Sequence, residues 1–373
     1  MLDLERVKTL PDQRFFFFAG RDVSQCKGPL PRDKNHDRGG IVSLYSGTEN
    51  PPMRRSDYDV TNSVRTTDPA AVEAEVLRVF RSLFPNLQAT QLQRAFERAA
   101  RLYDGRHPDY WPCDTEYHDV QHILDVTLAM ARLLEGYQRG REEGEQPVTG
   151  QLFMVGLLAA LFHDFGYLRK RNDRKHRYGA EYTLVHVSRG ADFLRRYLQE
   201  LGFNDALARV GGTLVHFTGY ERPAETIRLA GTLERRIGQM LGTADIIAQM
   251  SDRCYLEKCR DRLYPEFVLG RQAGLAAGNS RTLPLFASGE DLVRKTPLFY
   301  QGASKRLNLQ LARSYEYAAS HFGGANPYLD EMRKNVRHAE TPGAPLRRKA
   351  PHTLREGVEP YPRTLLERAR IAA

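Results

Sequence analysis

The chain of 373 residues is 41% apolar and 27% charged, which is ordinary for a globular protein and excludes a disordered or collagen-like chain. Its length exceeds a minimal domain but fits one large helical domain with appendages. The formal net charge of +9 favours anionic partners, among them nucleotides, nucleic acid or acidic membranes. The alternative is that loops and tails are simply basic.

Cysteine usage and apolar runs predict a cytoplasmic protein without a membrane span. The four cysteines are scattered and form no Cys-x-x-Cys pair, which is typical of reduced thiols. The N-terminus lacks the basic and then apolar pattern of a signal peptide. The longest apolar run, residues 152–162, is too short to cross a bilayer and predicts a buried helix.

Residues 1–68 show little periodicity and are rich in Arg, Asp, Gly, Pro and Ser. This composition predicts an irregular leader, either disordered or regulatory. One aromatic run, Phe15 to Phe18, interrupts the leader and suggests a strand or a docking segment.

Helical periodicity begins at Asp68 and Pro69, which suit an N-cap and a first helical position. The predicted helices cover about 70–84, 89–103, 116–136, 150–164, 178–201, 204–217, 223–260 and 305–320. Residues 268–294, rich in Gly, Ala and Ser, predict a long loop. Because strand-type alternation is nearly absent, we expect an all-α fold, with one compact helical domain over 69–338 and a basic tail over 339–373.

Two of the predicted helices carry His and Asp in otherwise apolar surroundings. The third helix places His118, His122 and Asp125 at i, i+4 and i+7, on one face. The apolar helix ends in His163 and Asp164, and a buried carboxylate needs a cation or hydrogen-bond donors. Each pattern alone has an ordinary alternative, since paired His can be plain polar residues and a His-Asp pair can cap a helix.

Asp245 adds a third element, because it stands inside the apolar helical stretch 240–248. A carboxylate there is uncommon unless it is paired or coordinated. Three such helices together predict a metal centre. Nitrogen and oxygen ligands without thiolates suit one or two divalent ions of Fe, Mn, Mg, Zn or Co.

Four of these candidates, in chain order, resemble the signature of HD-domain metal-dependent phosphohydrolases; they are His122, His163, Asp164 and Asp245. The stretch 117–122 (Tyr-His-Asp-Val-Gln-His), followed by Asp-Val at 125–126, resembles the signature of class I cyclic-nucleotide phosphodiesterases. Residues 243–245 followed by 264–267 (Tyr-Pro-Glu-Phe) fit the helix that bears that family's last metal ligand. The resemblance covers roughly residues 115–265. It implies a multi-helix HD/PDEase-type domain that hydrolyses a phosphoester, most simply a phosphodiester such as a cyclic nucleotide.

The resemblance also implies roles for individual residues. The four ligands would bind a first metal ion, and Asp164 would bridge to a second ion and so act in catalysis. His186 and His216 resemble ligand positions of HD proteins with a richer second site. Their alternative is that of partly buried core histidines on amphipathic helices.

His118 would be the general acid that protonates the leaving group, while a cation activates the attacking water. Its orientation needs a partner, for which Asp119, Asp125 and Glu181 are the candidates. Tyr167 departs from the family pattern, which has a His at that place.

The expected partner is an anionic small molecule, most simply a nucleotide, whereas nucleic acid is not expected. Lys170 and Arg171 belong to a basic stretch that follows the His-Asp pair and would hold phosphates; the alternative is a solvated basic loop. Tyr117, within the phosphodiesterase-like motif, and Gln301 are the candidates for further substrate contacts.

Two other functional classes stay open at this point. An HD-type di-iron oxygenase uses a similar His and Asp set for oxygen activation and does not need His118 as an acid. A non-catalytic nucleotide sensor would bind its ligand in the site and signal through the N-terminal segment.

Overall fold

The computed structural model describes residues 54–278, 286–358 and 361–362, and these form an all-α fold. Its α-helices are α1 (Pro69–Leu83), α2 (Thr90–Tyr103), α3 (Val120–Gly140), α4 (Gly150–Phe162), α5 (His186–Glu200), α6 (Asp205–Val215), α7 (Thr232–Ser251), α8 (Tyr255–Lys258), α9 (Tyr264–Ala276), α10 (Gly289–Arg294), α11 (Thr296–Leu309), α12 (Glu316–Phe322) and α13 (Pro327–Glu340). Within the described ranges, β structure is limited to two isolated bridges, Tyr58 with Arg65 and Tyr110 with Lys170. The Phe15 to Phe18 run lies outside them.

Capping side chains explain where the first helices begin. The Asp68 carboxylate accepts a hydrogen bond from the Ala70 backbone N–H at 3.0 Å, and Pro69 occupies the first turn, as the sequence predicts. Thr149 caps α4 in the same way, through the Leu152 N–H at 3.2 Å. These caps satisfy backbone donors that a helix start leaves unpaired.

Helix α4 lies at the centre of the core. It has no polar face, which is typical of a helix enclosed on every side. Helices α2, α3, α5, α6 and α7 surround it. Helix α3 packs in turn against α1, α7 and α12. Because α3, α4 and α7 are mutual neighbours, residues at 118–122, 163–164 and 245 can meet although the chain separates them widely.

The predicted loop over 268–294 is wrong. Helix α9 continues to Ala276 and α10 begins at Gly289, while residues 279–285 lie outside the described ranges. Packing overrides the loop-like composition, since Leu269 is buried and α9 lies against the 3₁₀ turn Gly179–Tyr182. The glycines Gly270 and Gly274, read as loop formers, are buried helix positions.

Four other predicted helices have different bounds. The helix predicted over 178–201 begins as α5 at His186, after the 3₁₀ turn Gly179–Tyr182. The third starts at Val120 because Asp119 caps it, rather than at about 116. The long helix over 223–260 ends as α7 at Ser251, and a short α8 follows. The helix over 305–320 is divided between α11 and α12, because Ala312 and Arg313 adopt positive φ angles of 49° and 54°, which an α-helix excludes.

Irregular segments before and after the helices are fastened to them. Asp59 and Arg132 form an ion pair of 2.6 Å in which both side chains are buried. In the tail, Leu354 is buried and Arg262 donates to the carbonyl oxygen of Pro351 at 2.6 Å. The division at 68 and 338 stays a prediction. Among the described helices, none combines the length and apolar composition that crossing a bilayer requires.

Candidate metal centre

The start of α3 positions His122. The carboxylate of Asp119 accepts a hydrogen bond from the backbone N–H of His122 at 2.9 Å and so fixes the first turn of the helix. His118 precedes this cap, and its ring centroid lies 5.8 Å from that of His122. The partly buried Asp125 side chain belongs to another cluster, with the buried ion pair of Asp252 and Lys258.

The end of α4 positions His163 and Asp164. His163 follows the last residue of the helix, and its Nδ1 lies 2.7 Å from the carbonyl oxygen of Ala160. A carbonyl oxygen only accepts, so Nδ1 carries the proton and Nε2 is left with its lone pair in the neutral ring. Both side chains are nearly fully buried.

The third element, α7, contributes Asp245 from an apolar stretch. Its Oδ1 accepts a hydrogen bond from Gln249 Nε2 at 3.1 Å, one turn further along the helix. Tyr117 donates from its hydroxyl to Gln249 Oε1 at 3.1 Å. Tyr117, a candidate for substrate contact, is therefore buried and supports the carboxylate through Gln249.

The ligand atoms of the four residues predicted to bind the first metal ion lie close together. The Nε2 atoms of His122 and His163 are 3.3 Å apart. Asp164 Oδ2 lies 3.2 Å from the first nitrogen and 3.1 Å from the second. Asp245 Oδ1 lies 3.5 Å from His122 Nε2 and 3.9 Å from His163 Nε2. Within the described ranges, His122, His163 and Asp164 form a group whose ligand atoms are close enough together to hold one ion.

The polar atoms of this group fit a cation. Asp164 Oδ2 is buried and has no hydrogen-bond partner of acceptable geometry, although it faces both Nε2 atoms. A buried carboxylate oxygen without a donor is costly. A cation held by these nitrogens and carboxylates would remove this cost, and the nitrogen and oxygen donors are those that divalent transition metals prefer.

The directions of the pKa shifts indicate that the carboxylates of the centre are ionised and that they favour protonated imidazoles beside them. Burial opposes ionisation of Asp164, but His163 and His118 outweigh it, so the pKa of that carboxyl is held well below its usual range. Burial also opposes protonation of His163, yet the carboxylates of Asp164 and Asp245 raise its pKa to about 9. The carboxylates thus favour positive charge where the rings meet.

The two predicted second-site histidines differ in their surroundings. His186 Nε2 lies 3.5 Å from Asp164 Oδ1, and its Nδ1 lies 2.7 Å from the carbonyl oxygen of Thr183. Burial lowers the pKa of His186, which favours the neutral ring that binds metals. His216 instead has its Nδ1 2.8 Å from Glu221 Oε1, and no described ion pair joins it to the carboxylates of the centre.

Glu221 lies beside His216 and is not among the residues predicted from the sequence. Burial works to raise its pKa, but the hydrogen bond and charge of His216 and the charge of His186 lower it. Glu221 therefore stays ionised beside the second-site histidines.

The orienting partner of His118 is Glu266, and the three predicted candidates are wrong. His118 Nδ1 lies 2.5 Å from Glu266 Oε2, while Glu266 Oε1 accepts from the Tyr117 backbone N–H at 2.7 Å. Asp119 instead caps α3, and Glu181 accepts from backbone N–H groups at residues 177 and 178. The signal that could have identified Glu266 is the Tyr-Pro-Glu-Phe stretch at 264–267.

Tyr167 lies between two of these imidazoles. Its ring stacks on His118 at a centroid distance of 4.4 Å and on His186 at 4.3 Å. The aromatic ring therefore fixes the planes of both histidines at the place where the resembling family has a His.

The remaining substrate candidates lie apart from the centre. Lys170 and Arg171 are exposed, and Arg171 donates to the carbonyl oxygen of Gly105 at 3.1 Å and lies over the ring of Trp111. Gln301 is exposed on α11. No described hydrogen bond or ion pair connects any of the three with the histidines of the centre.

Comparison with known proteins gives structural neighbours only. No protein-family model matches the chain, and no curated protein sequence matches it. Two solved structures are similar to it, both of the phosphodiesterase domain of a rhodopsin–phosphodiesterase fusion from the choanoflagellate Salpingoeca rosetta. The first is 13% identical and covers 78% of this chain and 95% of its own, with a TM-score of 0.45. The second is 14% identical and covers 77% and 90%, also with a TM-score of 0.45.

Proposed function

We propose that the chain is a metal-dependent phosphohydrolase that cleaves a phosphodiester, such as a cyclic nucleotide. One observation carries the proposal: two imidazole Nε2 atoms 3.3 Å apart face a buried Asp164 oxygen that has no hydrogen-bond donor. Such a set of atoms is costly on its own and becomes favourable around a divalent cation.

The first cation would be held by His122, His163, Asp164 and Asp245. Asp164 and His186, whose Oδ1 and Nε2 atoms lie 3.5 Å apart, would help to hold a second. A bound cation supplies two effects here, a lowered pKa for water and neutralisation of phosphoryl charge. The protein holds its ligands for this task through Ala160, Thr183 and Gln249, since a ligand ring or carboxylate fixed by a second contact binds more tightly.

His118 would act as the general acid. Its Nδ1 is engaged by Glu266, so Nε2 is the nitrogen that remains to deliver a proton to the leaving oxygen. Burial works to lower the pKa of His118, but the carboxylates of Glu266 and Asp164 outweigh it and raise that pKa. A positioned acid of this kind contributes roughly 10²–10⁴-fold to the rate.

The substrate we propose is an anionic small molecule, most simply a nucleotide. The formal net charge of +9 supports a negatively charged ligand. The paired imidazole and carboxylate ligands support a phosphoryl group in particular, since cations beside an acid suit ester cleavage.

Hydrolysis of bis-p-nitrophenyl phosphate and of cyclic AMP by the purified protein tests this proposal. We expect EDTA to remove the activity and one of Mn²⁺, Fe²⁺, Zn²⁺, Co²⁺ or Mg²⁺ to restore it, because the buried carboxylates need a cation to act. Turnover that persists in EDTA after dialysis, or no turnover with any of these ions, would contradict the proposal.

A further inference from the structure

A second concave site lies outside the metal centre. It is a groove of about 780 Å³ between the segments 111–114 and 169–178 on one side and the tail residues 355–358 and 362 on the other. Its volume is in the range of small-molecule sites. None of the metal-centre residues lines it. Its lining includes one aromatic residue and several arginines, among them Trp111, Arg171, Arg174, Arg177 and Arg355.

Positive charge in the groove is largely uncompensated. Asp114 is engaged by Arg169 at 3.1 Å, and Asp173 accepts from His176. Glu356 is the remaining acidic residue of the lining. Within the described residues, no carboxylate lies within 4.0 Å of the guanidinium groups of four lining arginines, Arg171, Arg174, Arg177 and Arg355. Arg171 and Arg355 donate to the carbonyl oxygens of Gly105 and Asp104, which leaves their charge without a carboxylate. Clustered guanidinium groups of this kind suit the paired oxygens of phosphate.

An aromatic platform stands beside these charges. Trp111 is 40% exposed, which is unusual for so large an apolar side chain. The guanidinium of Arg171 lies 4.6 Å from the centre of its ring and holds it in place from one side. Exposed aromatic rings among arginines are the combination with which proteins bind bases and phosphates together.

We infer that this groove binds a phosphorylated ligand that carries a nucleobase, either a mononucleotide or a short single-stranded oligonucleotide. The base stacks on Trp111, and the phosphate meets Arg174 and Arg177. The site is separate from the metal centre and does not depend on the proposed hydrolysis.

Trp111 is the only tryptophan of the chain, so its fluorescence reports directly on the groove. The probes are AMP, ribose 5-phosphate, inorganic phosphate and a six-nucleotide thymidylate strand, each titrated into the full chain at low salt with EDTA present. EDTA and the Asp164→Asn variant keep the metal centre from contributing to the signal. We expect saturable quenching by AMP or the strand, and little by ribose 5-phosphate or phosphate.

The double variant Arg174→Ala/Arg177→Ala removes two exposed charges and should raise the Kd by roughly 10-fold or more, because two phosphate contacts are lost. Arg209→Ala/Arg228→Ala is the matched control, with the same loss of charge at exposed positions away from the groove. Tighter binding of the strand than of AMP supports an oligonucleotide, and equal binding supports a mononucleotide. No saturable quenching, equal quenching by ribose 5-phosphate, or equal weakening by both double variants would overturn the inference.

Discussion

At the scale of single residues, three imidazoles at the centre share one arrangement, in which Nδ1 has a hydrogen-bond partner and Nε2 is left for another role. His163 and His186 are held by main-chain carbonyl oxygens, whereas His118 is held by the carboxylate of Glu266. A carbonyl oxygen fixes the neutral tautomer that binds a cation, while a carboxylate favours the protonated ring. In the proposed reaction, this difference in partner would suit two of the rings to hold a cation and the third to act as an acid.

The acid role proposed for His118 predicts a dependence on the leaving group. We expect His118→Ala to lower turnover of alkyl esters such as cyclic AMP by about 10²–10⁴-fold, because a poor leaving group needs a proton. Activated aryl esters such as bis-p-nitrophenyl phosphate should lose much less. The measurement is kcat for both substrates, with metal content as the control for an intact centre. An equal loss on both substrates would argue against the acid role.

Glu266 predicts a change in pH dependence. An acid works while it is protonated, so activity is present below the pKa of His118 and lost as pH rises through it. Glu266→Gln retains an acceptor for the Tyr117 N–H but removes the charge that raises this pKa, so we expect the alkaline fall in kcat to begin at lower pH. Full pH profiles of kcat in the two proteins give this comparison. An unshifted alkaline limb would show that Glu266 does not act through His118.

The sequence indicates the candidate metal ligands better than the carboxylates that orient the histidines. An Asp or His in an apolar helix is conspicuous because burying it is costly, and this is why Asp164 and Asp245 could be predicted. Glu266 also stands among apolar residues, 263–269, but that pattern does not indicate which side chain it meets, and Glu221 lies beside Arg222 between two predicted helices. Only the fold brings Glu266 to His118, across 148 positions of the chain.

At the scale of helices and turns, the position of His186 depends on a close approach between two backbone segments. The 3₁₀ turn Phe165–Tyr167 packs against α5, and a Cβ at Gly166 would lie 1.9 Å from the carbonyl oxygen of His186. Only glycine allows this contact, since the neighbour is backbone and cannot turn aside. Gly166 thus sets the distance between Asp164 and the start of α5.

Gly166→Ala should force the turn and α5 apart. We expect a loss of about 1–3 kcal/mol in the free energy of unfolding, as for other overpacked sites, together with weaker metal binding. Ser188→Ala is the control, because it adds no new contact on the exposed side of the same helix. Denaturant unfolding and metal titration of both variants provide the measurements. Wild-type stability and metal affinity in the glycine variant would contradict the role given to the close approach.

Local signals predicted the helices well where a cap or proline marked their starts, as at Asp68 and Pro69. They failed over 268–294, because α9 owes its C-terminal turns to packing rather than to amphipathic periodicity. Small residues such as Gly270 and Gly274 weaken a helix in isolation but permit close packing in this one.

At the scale of the whole molecule, the centre exists only when α3, α4 and α7 pack together. Its candidate ligands come from residues 122 to 245, so binding of a cation would be coupled to folding. A cation that binds only the native chain stabilises it by mass action. The irregular segments before α1 and after α13 are also held against the helices, by the buried ion pair of Asp59 and Arg132 and by the hydrogen bond from Arg262 to the tail.

The most direct test of a metal-dependent hydrolase is Asp164→Asn, measured for bound metal and for phosphodiester turnover on the same preparation. Asparagine keeps the volume of the side chain but removes the charge that faces both histidines. We predict loss of the bound ion and a fall in kcat on the order of 10³-fold, because cation stabilisation of the transition state is worth several kcal/mol. Turnover within about tenfold of the wild type in a metal-free variant would contradict the account.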